Sequence, residues 1–323
     1  MNRKNKIILG RRKPLVKNLL LLDGIGRAGK FLAANILNGF ADVEPVQLCG
    51  ILEHIPFFTK LGFIEKRAAE ELLHHEIDMH CYETLIGRNL NHRIFDKSSV
   101  VNNPNYKKLL LRSKELDADK ELNSFYKRGA YSFFLVHEVL PDMKIYFDSF
   151  PKIKVISLKR SPVDLVSSWY DTGATKRWGK DPKYFNIPAE GKNGVMPWYV
   201  FNNSEEYEKL GHMDKTILSI EALFRRYENA EKSLSSEEQE KVLFASYEDI
   251  LGQTAKVVEM IRTFIGKQPL PEMARILKRE ALPNRDYFNG AVKKKKLDKI
   301  KFNASPHFFK RLSALEEKYY SNA

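Results

Sequence analysis

"LLLLDGIGRAGKFLAANIL", residues 19–37, runs from an unbroken apolar stretch through a glycine turn into a helical pattern, and that succession decides the fold. Leu19 to Leu22 read as a strand buried on both faces, while Phe31, Ile36 and Leu37 recur at helical spacing. A strand, a glycine-rich turn and a helix in this order point successive N–H groups outward at a helix N-terminus, a ready anion site reinforced by the helix dipole. Gly24, Gly29 and Lys30 fit the phosphate-loop spacing G-x-x-x-x-G-K, yet the next position, where a Mg²⁺-binding Ser or Thr is expected, is Phe31. Phe31 has no oxygen for a metal, so the loop points to a phosphate-bearing ligand handled without one.

The same alternation recurs along the chain. Phe133 to Val136 precede a helix after Pro141, Val155 to Leu158 precede one from Pro162, and Val242 to Ala245 precede one from about Ala255. Strands alternating with helices predict an α/β fold of three layers, a central, mainly parallel sheet flanked by helices. No linker or repeat divides the chain, so residues 1–323 are expected to form one domain, with helical or irregular insertions at about 60–130 and 171–215 that shape a substrate cleft. Gly39 is expected to end the first helix with positive φ. Ser161-Pro162 reads as an N-cap followed by proline at the first helical position, and Val257, Ile261 and Phe264 as one apolar face before Gly266. "KIYFD" reads as a strand ending in Asp148, a carboxylate that keeps a metal-site alternative open.

Lys and Arg number 54 against 41 Asp and Glu, a formal charge of +13, which favours anionic partners without choosing among nucleotides, sulfated sugars, lipid headgroups and nucleic acid. The two cysteines, Cys49 and Cys81, are too few for a disulfide framework and read as reduced thiols of a cytoplasmic protein. The apolar run at 7–9 is too short for a signal-peptide core, and no stretch reaches the length of a membrane span. No feature sets an oligomeric state.

"FPKIKVISLKRSPVDLVSSWYDTG", residues 150–173, places Arg160 at the end of an apolar strand and Ser168 eight residues later on the next helix. A guanidinium and a hydroxyl so placed can meet one phosphate, the Arg through paired N–H donors. This segment resembles the 3′-phosphate motif of sulfotransferases that use 3′-phosphoadenosine 5′-phosphosulfate (PAPS), in which an Arg ends a strand, R-x-P-x-D follows, and a Ser lies eight residues on. "GIGRAGKF" then resembles the same family's 5′-phosphosulfate loop, commonly R-S-G-T-T or K-S-G-T-T. Arg27 takes the basic position, Ala28 replaces Ser, Gly29 matches, and Lys30-Phe31 stand in place of the Thr pair. "KVLFASYEDILGQTAKVVEMIRTFIGK", residues 241–267, is similar to the family's third ordered motif, a strand, Tyr-Glu-Asp, and a helix ending in Phe-x-Gly.

The resemblance implies PAPS as co-substrate, adenosine 3′,5′-bisphosphate as product, no metal requirement, and a small-molecule or carbohydrate acceptor. It implies 5′-phosphate binding by the loop Gly26, Arg27, Ala28, Gly29, Lys30 and Phe31, with Arg27 stabilising the departing bridge oxygen. Arg160 and Ser168 take the 3′-phosphate, and the run Lys293 to Lys296 in "FNGAVKKKKLDKIKF", Lys293 and Lys294 foremost, closes over it. That run is short and lacks interleaved aromatics, which argues against a nucleic-acid tail.

Two residues compete as the base that deprotonates the acceptor: Glu53 in "CGILEHIPF" and His137 in "LVHEVLP". Each equally suits a hydrogen-bonded structural residue. "HHEIDMHCYE", residues 74–83, lacks the H-E-x-x-H order and a partner cluster elsewhere, and reads as a polar helix or cleft wall with no metal. His92 and Arg93 are placed against an anionic or polyhydroxyl acceptor; Trp169, Trp178 and Trp198 default to core packing. The preferred reading is sulfuryl transfer to a hydroxyl or amine, with a carbohydrate or glycoconjugate acceptor. A P-loop nucleotide or small-molecule kinase, and a non-catalytic basic nucleotide- or polyanion-binding protein, stand as alternatives.

Overall fold

The computed structural model describes residues 9–10 and 12–321, so of the apolar run at 7–9 only Leu9 lies within the described residues. Five strands form one parallel sheet: β1 Leu19–Gly24, β2 Gln47–Leu48, β3 Ser132–Leu135, β4 Lys154–Lys159 and, last in the chain, β7 Val242–Ser246. Their order across the sheet is β2-β3-β1-β4-β7, and a separate antiparallel hairpin pairs β5 Pro188–Gly191 with β6 Gly194–Pro197. Leu20 of β1 lies level with Phe133 on one side and Lys154 on the other. β1 is thus central and buried at every position, as an apolar run with no polar alternation requires. The connection after β1 leads to the β2 edge while β4 lies on β1's other flank. The crevice at the carboxyl end of β1 is therefore a topological switch point, where open α/β sheets bind ligands.

Helix α1 (Lys30–Leu37) follows the loop, α2 (Ile51–Lys60) follows β2, and α3 (Lys66–Leu85) is the first element of the expected insertion. The rest of that insertion combines irregular chain with helices at Tyr106–Arg112 and Ala118–Arg128. The 171–215 stretch is mixed, with the β5–β6 hairpin between short helices. Ser161 caps the helix Pro162–Asp171 by accepting the Asp164 N–H, with Pro162 at its start, and Gly266 ends the helix Thr254–Ile265 at φ 66°.

Two local expectations are corrected. Helix α1 closes at Asn38 with ordinary right-handed geometry, and Gly39 lacks positive φ. Gly39 instead packs closely under the tips of Met273 and Ile276, with room for a Cβ only where those side chains shift. "KIYFD" is a helix, Lys144–Ser149, and Asp148 pairs with Lys66 and Lys144 rather than ending a strand beside a metal. The helix expected after β7 is preceded by another, Tyr247–Gly252, which Ser246 caps. No helix among the described residues is long and apolar enough to cross a membrane.

Candidate active site

The carboxyl ends of β1, β3, β4 and β7 bring four turns together. After β1 the chain turns through Gly24 at φ 147°, Arg27 at φ 74° and Gly29 at φ 95°. A Cβ on Gly29 would lie 2.3 Å from the Tyr247 ring, so glycine is required there both by φ and by space. The N–H groups of Gly29, Lys30 and Phe31 meet no acceptor among the described residues, the open donors of a helix start. The loop is held from behind: Trp169 Nε1 donates to Gly26 O at 2.8 Å, and the Gly26 N–H reaches Glu138 Oε1 at 3.3 Å. Trp169 therefore packs in the core, as Trp178 does, and also anchors the loop.

The 150–173 motif closes on this loop from the β4 side. Arg27 Nε donates to Ser168 Oγ at 2.9 Å, and Arg160 Nη1 donates to Arg27 O at 2.8 Å. Sequence separation had hidden this: the three residues named for two phosphates are hydrogen-bonded neighbours. Arg160 also lies 4.2 Å over the Tyr247 ring and 3.3 Å from Asp164 Oδ2, and its buried Nε has no partner among the described residues. Burial pushes the Asp164 carboxyl up, but hydrogen bonds from Lys296 and Tyr287 and the charge of Arg160 hold it below its ordinary value. Glu248, of the Tyr-Glu-Asp motif, accepts the Ser161 N–H at 3.0 Å and the hydroxyls of Tyr287 and Tyr319 at 3.1 and 2.7 Å, bracing the turn that carries Arg160.

In the C-terminal lysine run, Lys296 reaches Asp164 at 2.7 Å. Lys293 pairs instead with Glu316 at 3.1 Å, and Lys294 is exposed on the same helix, Gly290–Asn303. Sequence reading missed Asp164, Glu248 and Tyr287 as the scaffold beneath Arg160. The Asp in R-x-P-x-D and the Glu of Tyr-Glu-Asp were the available signals.

Lys30 departs most from the expectation of a phosphate or sulfonate contact. Its side chain folds under the loop, where Nζ donates to Gly24 O and, at 3.3 Å, to Ile25 O. Only 4% exposed, the ammonium is pushed by burial down to about 8 against the nearby charges of Asp23, Glu138 and Glu53. Burial likewise raises Glu138 above its ordinary value although Lys30 and His137 oppose the shift.

On the β3 side the two candidate bases meet. His137 Nδ1 lies 2.7 Å from Glu53 Oε1, joining the turn after β3 to the first turn of α2. The turn itself is pinned by Asp23, wholly buried at the end of β1, which accepts the N–H groups of Val139 and Leu140 at 3.0 and 3.1 Å and the Tyr227 hydroxyl at 2.9 Å. With Nδ1–H donated to the carboxylate, Nε2 keeps its lone pair for an acceptor proton. In front of Arg27 and Phe31 opens a cavity of about 620 Å³ whose far wall is the loop 93–97, including Arg93. His92 is exposed next to that wall.

A site assembled at the switch point of a parallel sheet, with open N–H donors, two arginines and a carboxylate–imidazole pair, has the parts a group-transfer enzyme uses. The model of the family described as "Sulfotransferase domain" matches residues 80–314, and the chain belongs to that family: it is a sulfotransferase. The matched span contains the Arg160 and Tyr-Glu-Asp motifs and begins after the loop at 24–31.

Among solved structures, the chain is similar to the sulfotransferase domain from the curacin biosynthetic pathway, 14% identical, with 94% of this chain and 98% of that one covered and a TM-score of 0.46. It is also similar to a sulfotransferase from Alicyclobacillus acidocaldarius, at 13% identity, 91% and 99% coverage and a TM-score of 0.39. A third is a retinol dehydratase in complex with androsterone and the inactive cofactor PAP, at 12% identity, 96% and 81% coverage and a TM-score of 0.32. No curated protein matches the sequence.

Proposed function

We propose that the enzyme moves a sulfuryl group from PAPS to an acceptor hydroxyl by in-line transfer without a metal. The observation that carries this reading is the contiguous set Arg27, Ser168 and Arg160 beside three open loop N–H groups. The partnerless Nε of Arg160 and the free donors of residues 29–31 suit a ligand with two separate phosphates, and Phe31 offers nothing to Mg²⁺. When bound, PAPS supplies the sulfuryl group and leaves as adenosine 3′,5′-bisphosphate. Gly29, Lys30 and Phe31 hold the 5′-phosphate through the backbone, Arg160 and Ser168 hold the 3′-phosphate, and Lys296 of the lysine run closes beside them. Arg27 places positive charge at the bridge oxygen, where it strengthens as charge develops.

His137 Nε2 takes the acceptor proton while Glu53 fixes the imidazole tautomer and stabilises the imidazolium, so the two candidates work as a pair. For the acceptor we propose a carbohydrate or glycoconjugate hydroxyl. The cleft wall around Arg27 carries Arg93 and Lys97 for acidic substituents, and Phe95, whose ring is fully exposed, as a face for a sugar ring. Two free cysteines, Cys49 and Cys81, support the cytoplasmic setting we propose.

Thermal-shift measurement with adenosine 3′,5′-bisphosphate against ATP plus Mg²⁺ tests the donor. Stabilisation by the bisphosphate in EDTA is expected; stabilisation by Mg-ATP alone would establish the kinase reading instead. Labelled PAPS offered with oligosaccharides, phenols and peptides tests the acceptor. Label on phenols or peptides and none on oligosaccharides would overturn the carbohydrate reading. In the same assay His137→Ala is expected to lower transfer about 10²-fold with bisphosphate affinity unchanged.

A further inference from the structure

We propose that Cys49, Glu76 and His80 form a binding site for a zinc-type divalent cation. The run "HHEIDMHCYE" has no second ligand cluster along the sequence, but the fold brings one to it. Cys49 Sγ, a Glu76 carboxylate oxygen and a His80 ring nitrogen all lie within 4.8 Å of one another. Glu76 and His80 stand four residues apart on one face of α3, while Cys49 comes from the turn between β2 and α2, so the site joins two segments. Thiolate, imidazole and carboxylate together make the donor set that selects zinc over Mg²⁺ or Ca²⁺.

A further observation points to a cation. Glu70, Glu71 and Asp78 on α3 each pair with a Lys or Arg, but Glu76 has no hydrogen-bond or ion-pair partner among the described residues, half-buried beside a thiol and an imidazole. Asn89 Nδ2 lies 2.8 Å from His80 Nδ1 and, so placed, donates to it; coordination through Nε2 requires that amide reversed, its oxygen then accepting Nδ1–H. Metal binding sends the Cys49 thiol proton to solvent and leaves a thiolate, a carboxylate and a neutral imidazole on the ion, with water completing four-coordination.

His74, His75 and Asp78 do not share the site. His74 packs on Phe150 at 4.5 Å, His75 is exposed, and Asp78 accepts the N–H groups of Leu15 and Val16 at 2.8 Å. Cys49 lies one helical turn before Glu53, so a bound ion would clip α3 to the segment that holds the Glu53–His137 pair.

The test is titration of the chelator-stripped full chain with Zn²⁺ and with Co²⁺ as a spectroscopic probe. One equivalent is expected, with a thiolate-to-cobalt charge-transfer band that disappears in Cys49→Ser. His80→Ala and Glu76→Gln should each weaken zinc at least about tenfold, while His75→Ala, on the exposed face, leaves affinity unchanged. Glu76→Gln is isosteric at a half-buried position, so its result stands even where the other variants fold poorly. Equal zinc affinity in wild type and Glu76→Gln, or cobalt bound without a thiolate band, would overturn the proposal.

Discussion

The turn after β1 and the wall at 93–97, the donor and acceptor sides we propose, face one cavity and are built in opposite ways. Trp169, Ser168 and Arg160 tie the first from three directions, and Asp164, Tyr247 and Glu248 brace it from beneath. The second carries Ile94 at 70% and Phe95 at 101% exposure on a loop held by local hydrogen bonds alone, Asp96 N–H to Arg93 O and Ser98 to the Asp96 carboxylate among the described residues. A group common to every turnover can be met by a preorganised site, whose dipoles need no reorientation during reaction. An acceptor has to be met by a surface that adapts, and exposed apolar side chains beside arginine suit that role.

The sharpest way to break this contrast is Arg27→Ala, which should lower turnover about 10²- to 10³-fold while the bisphosphate still binds. Steady-state kinetics beside calorimetry would check it, and near-wild-type turnover would remove Arg27 from the bridge oxygen. Next in size is Gly29→Ala. The new methyl collides with Tyr247, the ring beneath Arg160, and demands a left-handed alanine. A stability loss of about 2–3 kcal/mol in urea denaturation is expected, together with weakened bisphosphate binding. Phe95→Ala, on the other wall, should leave stability unchanged, and equal losses at the two positions would erase the distinction.

How much of this the sequence disclosed follows the same divide. The strand–glycine–helix order and the three ordered motifs located the sheet, the loop and Arg160, because such signals are local and depend on period and turn chemistry. What joins them is not local. Arg27 and Ser168 are 141 residues apart and Glu53 and His137 are 84 apart, and neither pairing carries a sequence signature. The same limit hid Asp23, the buried acceptor that anchors the His137 turn. It made Asp148 a strand end because a short apolar run such as Ile145 to Phe147 suits helix and strand alike. Lys30 was placed by analogy with a loop whose lysine faces its ligand, and only packing could reveal that its ammonium turns inward.

A smaller effect tests whether the two candidate bases divide the labour. Glu53→Gln keeps the size of the side chain and a hydrogen bond to His137 Nδ1 but removes the charge that would stabilise the imidazolium. Turnover should fall roughly tenfold, less than in His137→Ala, with the bisphosphate affinity unaltered. The reverse order, with Glu53→Gln silent on binding but the more damaging to turnover, would make the carboxylate the base and the imidazole its support.

The mildest prediction concerns Lys30 and the donor side alone. In the free protein its ammonium is charged below about pH 8, whereas an ordinary lysine stays charged to 10.5. Burial therefore destabilises the free fold while Lys30 is charged, and the penalty fades as pH rises from about 8 towards 10.5. A bound phosphate reverses the balance by favouring the charged form. Affinity for adenosine 3′,5′-bisphosphate should thus be greatest below pH 8 and fall about threefold to tenfold by pH 9.5. Phosphate ionisation does not interfere, because its last step, near pH 6, is complete across that window. In Lys30→Met the affinity should be lower at pH 7 and flat to pH 9.5, and the free variant should be more stable than wild type at neutral pH. A wild-type affinity that stays flat from pH 7 to 9.5, or a decline that survives in Lys30→Met, would show that Lys30 holds the loop together and does not sense the anion.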